Sequence, residues 1–502
     1  MVKNEVESLE VENSVEEVKE FFKGLGEEIS QYSGFNLKIP VSLEKDTIEY
    51  NLKGKFSLNI PQVNNRVTME ILHIVQEILG RTVQVTHSLD RNILQNIQRD
   101  VSLSLINNEY LNLGSTQQYR FWENINALKN IGTKTYEGNS VNIGVIYSLN
   151  DELTIKEIKN LNVEVKLIEK RKTIQQFFLD EKPFLRLIDN KSIVVVVNKD
   201  FEVFAIIRKK DEGKSLSNII KSQFNDWTIN EMTRITFENL TDEFVRLLNH
   251  LEISDELKKK MSEVEGILVD YTNKIPTKEK PKFIYFSLTN KKMDIYLNKE
   301  YVISYNNGDW KLKQYALMLA TIMQKVFTNT LHLPFSLGAN SYNKQLLEMT
   351  ISIKKLVNVI EMLSEKGGSS IFIIVLDNEQ KINLTYSDAK DFLEKNNFKK
   401  NNLDRDFLNV VRNEKKHLNF TEVDKFLIET ISAVDGAMVI DGHMNIVSFG
   451  EIIDIPNDVV YQETFGTGTK AARYASKLGI AIKVSEDGDI YIFSNEKLLL
   501  KV

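Results

Sequence analysis

DGAMVIDGHMNIVSFGEII, residues 435–453, and GTGTKAARYAS, residues 466–476, decide how this chain is read. In the first, the apolar runs AMVID and NIVSFGEI flank a polar turn at Gly442, the pattern of two short strands. In the second, two glycines precede a helical pattern. Gly466 and Gly468 satisfy turn geometry alone. A Gly-Thr-Gly-Thr loop entering a helix also aims backbone N–H groups at a phosphate, with the Lys470 charge beside it. The spacing is not that of a Walker A loop. Asp435 likewise has a plain role as a turn residue leading into a strand.

The flanking sequence sets these strands in an α/β domain. Residues 344–365 carry an apolar stripe, Leu347, Ile351, Leu356, Val359 and Leu363, at helical spacing, and the helix ends at Gly367-Gly368. The strand SIFIIVLD follows. Helices are expected near 388–395, 402–414 and 421–431, the last capped by Thr421. After the glycine loop and its helix come the strands IAIKVSED and DIYIFS, with Asp487-Gly488 as a hairpin turn. Such alternation gives a mixed sheet flanked by helices.

Upstream, residues 1–30 are acidic with Val15, Val18, Phe21 and Phe22 at helical spacing. Residues 35–63 alternate like short strands, and 66–80 read as an amphipathic helix whose His73 is an interior or boundary residue. VNIGVIYS, LTIKEIKNL and VEVKLIE (141–168) form a βαβ pattern. Residues 192–208 read as a hairpin turning at Asn198–Asp200. KIPTKEKPK (274–282) is the best linker, followed by a second hairpin at 282–304 and a helix through Phe327. The expected division is 1–135 (mixed α/β), 136–273 (α/β sensor region), 282–333 (hairpin plus helix) and 340–502. The fold class is therefore α/β and α+β, multidomain.

Composition bounds the function. The 502 residues exceed one ordinary core, and about three or four domains are expected. A net charge of −6 leaves no broad basic field for nucleic acid. Cysteine is absent, which excludes disulfides, thiolate chemistry and cysteine-ligated zinc. The six histidines show no HExxH spacing, and His443 reads as a solvent-exposed turn residue. Trp122, Trp227 and Trp310 read as packing residues. The acidic N-terminus has no apolar signal core, and no apolar run approaches the ~20 residues of a membrane span. The chain reads as cytoplasmic, without membrane or nucleic-acid partners.

The last ~160 residues resemble the diadenylate cyclase domain, which condenses two ATP molecules into cyclic di-AMP. The resemblance rests on an ordered set: KKLVNVIEMLSEKG followed by SSIFIIVLD, the helix TEVDKFLIETI, the Asp435-Gly436-Ala437 triplet, the strand pair turning at Gly442, the loop Gly466-Thr467-Gly468-Thr469-Lys470-Ala471-Ala472 aligned on the family's GTRHRAA, and Val484-Ser485-Glu486 on its closing VSE. The family's Arg-His-Arg is Gly468-Thr469-Lys470 here, so one point charge stands where two planar forks meet the phosphates.

The resemblance implies roles. Asp435 would serve the metal or the 3′-hydroxyl, with Glu486 as second carboxylate on Mg²⁺ or Mn²⁺. Asp435 and Lys470 would be catalytic. Gly436, Ala437, Gly466, Thr467, Gly468, Thr469, Lys470 and Ser485 would line the ATP, the first two by letting backbone approach it. One ATP per protomer implies a homo-oligomer, at least a dimer. The upstream ~330 residues resemble sensor segments of some bacterial members, with an unnamed ligand or protein partner. Three readings stay open: an active diadenylate cyclase under sensor control, a catalytically degenerate nucleotide-binding sensor, and a cyclase-like enzyme with altered nucleotide or product.

Overall fold

The structure, a computed structural model, describes residues 20, 22–34, 36–38, 41–44, 47–50, 53–55, 73–74, 76–77, 93–107, 113–136, 138–179, 183–250, 255–276, 281–289, 291–297, 302–306, 308–330, 339–376, 386–400, 412–413, 416–456, 459, 461 and 465–502. It is an α/β multidomain fold with two mixed sheets of eight and seven strands. The chain divides into two compact units. One holds Arg66–Thr228 with Thr277–Gln314, and the other holds Ile229–Pro276 with Tyr315–Val502.

In the first unit, α1 (Ser115–Gly132) precedes β1 (Ile143–Ser148), α2 (Asp151–Lys159) and β2 (Val163–Thr173). The hairpin β3 (Ile193–Val197) and β4 (Glu202–Lys209) leads into α3 (Leu216–His250), whose residues through Thr228 belong to this unit. After α4 (Asp255–Lys274), which belongs to the second unit, the first unit resumes with β5 (Phe283–Thr289), β6 (Lys292–Tyr296), β7 (Val302–Asn306) and β8 (Asp309–Lys313). Their order is β8-β7-β6-β5-β1-β3-β4-β2, with only β1 and β3 paired in parallel. The βαβ reading holds, but β3 and β4 lie between β1 and β2.

The expected second hairpin is a four-stranded meander whose first strand pairs with β1, so segments on both sides of the 274–282 linker build one sheet. β1 and β5 are buried along nearly their whole length, as strands covered on both faces must be. Ile158 of α2 and Leu216, Ile220 and Phe224 of α3 pack with Ile146, Val194 and Phe283. Phe121 of α1 meets Tyr147 edge-on at 5.3 Å, and Trp122 packs on Trp310 at 5.1 Å, as expected of core tryptophans.

In the second unit, α5 (Tyr315–Thr330) and α6 (Ala339–Lys366) lead into β9 (Ser370–Val375). Then follow α7 (Tyr386–Lys395), β10 (Phe398–Lys400), α8 (Lys425–Ser432), β11 (Ala437–Ile440), β12 (Ile446–Ile453), α9 (Thr467–Ala475), β13 (Gly479–Val484), β14 (Ile490–Ser494) and β15 (Lys497–Lys501). The order is β10-β12-β11-β9-β13-β14-β15; β9 and β11 are parallel and every other pair is antiparallel. Ala472 and Ala475 of α9 and Phe392 of α7 pack with Ile373, Ala437, Val439 and Ala481 on one face. Side-chain alternation sends Phe372, Ile374, Met438 and Ile482 to the other face, and α6 and α8 pack against the same sheet.

Several expectations change. Leu347 and Ile351 are exposed, and the buried stripe of α6 runs through Leu346, Met349, Ile353, Leu356 and Leu363. Residues 412–413 are a strand, not the end of a helix; the rest of the expected helix, through 411, lies outside the described residues. Asp424, not Thr421, caps α8: its side chain accepts from Phe426 N, while Thr421 bonds Asn419. His73 is exposed, and most of the 66–80 helix lies outside the described residues. The expected helix at 1–30 is described only at residue 20 and from residue 22 on, where it runs to 33 with Phe22 buried. Strand β15 was not anticipated.

Candidate functional site

One transverse row across the C-terminal sheet brings the two opening motifs together. Ile371 of the central strand β9 pairs with Ala437 on one side and with Lys483 on the other. The row continues to Glu451 on β12 and to Tyr491 on β14. Because β11 begins at Ala437 and β13 ends at Val484, Asp435-Gly436 and Ser485-Glu486 leave the sheet at the same edge. Only β9 lies between their strands, a lateral span of ~10 Å for two inter-strand spacings.

The glycine loop reaches that edge from the helical layer. Gly466 is the extended N-cap of α9 and makes no side-chain cap bond. The first-turn N–H groups of a helix have no acceptor inside it, and they carry the positive end of its dipole. Lys470 N donates to Gly466 O at 3.0 Å and closes the first turn. Gly468 lies over Lys483: a Cβ on Gly468 would sit 3.2 Å from Lys483 Cε and 3.5 Å from its Nζ. Phe465 anchors the approach to the loop by packing edge-on to Tyr491 and Phe493 at 6.1 and 6.3 Å.

The expected site residues differ in what they offer. Asp435, Gly466, Thr467 and Glu486 are exposed, Gly468 and Lys470 are half-buried, and Thr469 is buried. Gly436 has φ +114°, and a Cβ there would lie 2.5 Å from the backbone of Gly450. Its glycine requirement is thus met within the sheet, where β11 begins against β12, rather than by a nucleotide. Ala437 is fully buried in the core and offers no surface to a ligand. Ser485 is engaged by its own turn: its hydroxyl donates to the Asp487 carboxylate and lies 3.1 Å from Asp489 O.

Asp435 and Glu486 are exposed carboxylates at the same edge, and carboxylate oxygens are hard donors. Such donors suit Mg²⁺ or Mn²⁺ when phosphate oxygens and waters complete the shell. Among the described residues no group of three His, Asp or Glu side chains could hold an ion alone.

Lys483 was missed by the sequence reading. It is 7 % exposed, and burial lowers its pKa from the ordinary lysine range, opposed by the more distant Glu486 and Asp487 charges. Its Nζ donates to Ser369 Oγ at 2.5 Å. The available signal was its phase: in GIAIKV, Lys483 shares a face with Ala481, so it points to the α9 side of a strand covered on both faces.

His443 departs from its expected exposure. It is half-buried, and burial pushes its pKa down to about 4. Its Nδ1 shares a hydrogen bond with the Gln345 amide, and Asn419 Nδ2 donates to its carbonyl at 2.9 Å. Asp441 organises the same turn by accepting from His443 N, Asn445 N and Asn445 Nδ2 at 2.8–2.9 Å. The β11–β12 turn is thus a closed polar knot with a structural role.

No protein-family model matches the chain, and no curated protein matches it significantly. Among solved structures, one described as a hypothetical membrane spanning protein from Bacillus cereus is similar at 14% identity, covering 37% of this chain and 87% of that one, with a TM-score of 0.21. In this chain, no helix among the described residues is long and apolar enough to cross a membrane.

Proposed function

We propose that the C-terminal α/β domain binds ATP at this sheet edge and acts as a diadenylate-cyclase-like nucleotidyltransferase, with the upstream region as its sensor. The observation that carries the reading is the shared row: the strand that opens after Asp435, the strand that closes before Glu486 and the loop glycine over Lys483 converge on one edge.

In the proposed reaction, the 3′-oxygen of one ATP forms a bond to the α-phosphorus of the second, and the bond from that phosphorus to the pyrophosphate oxygen breaks. The hydroxyl proton passes to solvent or to a carboxylate, and repetition in the opposite sense closes the ring. Asp435 would orient the attacking hydroxyl and, with Glu486, hold the divalent metal. Bound there, Mg²⁺ or Mn²⁺ supplies charge neutralisation at the phosphates. The N–H groups of Thr467, Gly468 and Thr469 and the Lys470 ammonium would receive phosphate oxygens.

The competing reading is a domain that binds the nucleotide without turnover. It is favoured by Gly468-Thr469-Lys470 standing where the family has two arginines. Incubating the full chain with α-labelled ATP and Mn²⁺, beside Asp435→Asn, separates the two. A cyclic dinucleotide from wild type, reduced at least a hundredfold in the variant, supports turnover. ATP binding with no product supports the sensor, and the absence of ATP binding defeats both.

A further inference from the structure

We propose that Lys483 is a phosphate-binding residue, supplying from the sheet the second cation that the glycine loop lacks. This rests on the nucleotide reading above and adds to it a residue from outside both opening motifs.

Lys483 is buried, and buried charges are ordinarily paired. Its hydrogen-bond partner is one neutral hydroxyl, Ser369 Oγ at 2.5 Å. Glu486 and Asp487 act on it electrostatically, yet neither makes an ion pair with it among the described residues. An ammonium has three donors, so one hydroxyl leaves two to be used.

The second fact concerns its neighbour. Lys483 Nζ lies 3.5 Å from the position a Cβ would take on Gly468, in the first turn of α9. A helix N-terminus is the positive end of the helix dipole. A buried cation placed under it is disfavoured by lost hydration and by the dipole, with Glu486 and Asp487 opposing both. An anion at this point reverses both terms, because it accepts from the ammonium and from the first-turn N–H groups together. The absence of a side chain on Gly468 keeps that approach open: any Cβ would press on Lys483 Cε at 3.2 Å.

The third fact is position. Lys483 shares its cross-strand row with Ala437, two residues after Asp435, through Ile371, and its ammonium lies beside the loop glycine. A polyphosphate held by the loop would extend toward this ammonium.

The test is equilibrium binding of ATP and of adenosine to the full chain. In Lys483→Met, the apolar stem keeps its packing while the charge is lost; ATP affinity is expected to fall roughly tenfold or more, as for a lost charge-assisted contact. Adenosine, which has no phosphate, should lose less than twofold. Lys483→Gln gives a second reading, since it removes the charge and keeps a polar chain able to bond Ser369. It should lower ATP affinity by a similar factor, and it carries the test if Lys483→Met does not fold. Unchanged ATP affinity in the folded variants overturns the role of Lys483 and leaves the nucleotide site standing. Equal losses for ATP and adenosine also overturn it, by showing a structural role. Failure of wild type to bind ATP overturns both proposals.

Discussion

At the scale of single residues, the β11–β12 turn sets two buried titrations against each other. Burial raises Asp441 from 3.8 to about 6. Its neutral form is favoured in the folded state, so its contribution is complete below pH 3.8 and is lost as pH rises toward 6. His443 is depressed from 6.5 to about 4, so its contribution is present above 6.5 and is lost as pH falls toward 4. Between pH 4 and 6 the two slopes oppose. Replacing Asp441 with Asn removes one slope only. The stability of wild type minus that of the variant should therefore decline from pH 4 to 6 and level off above, measured by urea midpoints across that range. Parallel curves for the two proteins would remove the assignment of a raised Asp441 pKa. The sequence placed Asp441 at the end of a strand and His443 in an exposed turn. Their burial comes from α6 and the Asn419 loop, partners distant in the chain that local pattern does not reveal. Lys483 was hidden for a related reason: a lysine in a strand reads as an outward residue until the helix above it is known.

At the scale of elements, the long periodic segments were legible and the caps were not. The strands AMVI, IVSFGEII, GIAIKV and IYIFS and the helix opened by Gly466 stand where the pattern put them. The cap of α8 shifted because Asn419 accepts from both the Thr421 N–H and hydroxyl, which commits that threonine to a turn and passes the cap to Asp424. That loop is held from α6. Lys355 Nζ donates to the carbonyls of Phe420, Thr421 and Val423 at 2.7, 3.2 and 2.8 Å. Lys355→Met strands three carbonyls, and a loss of about 1–2 kcal/mol is expected after allowance for solvent at this half-exposed group. Hydrogen exchange at the start of α8 should quicken with it. A denaturant midpoint identical to wild type would show that solvent serves those carbonyls equally well.

At the scale of the whole molecule, the class of fold followed from alternating helix and strand patterns, whereas the strand order did not. Nothing in KFIYFSLT announces that it pairs with VNIGVIYS more than a hundred positions earlier, because sheet neighbours are chosen by tertiary packing rather than local periodicity. The proposed reaction adds a requirement of its own. Each chain offers one sheet edge with one Asp435 and one glycine loop, and a cyclic dinucleotide needs two bound nucleotides facing each other, each giving a 3′-oxygen and each losing pyrophosphate. A two-fold assembly supplies that arrangement from a single surface. Product formed per chain should then fall with dilution, approaching second-order dependence on protein below the dissociation constant of the dimer. Mixing wild type with Asp435→Asn in excess should suppress activity by more than simple dilution of the active chain, since mixed dimers leave one of the two bonds unmade. Activity strictly proportional to chain concentration down to concentrations at which sedimentation finds only monomers would rule out the facing-site reaction, and with it the cyclic product.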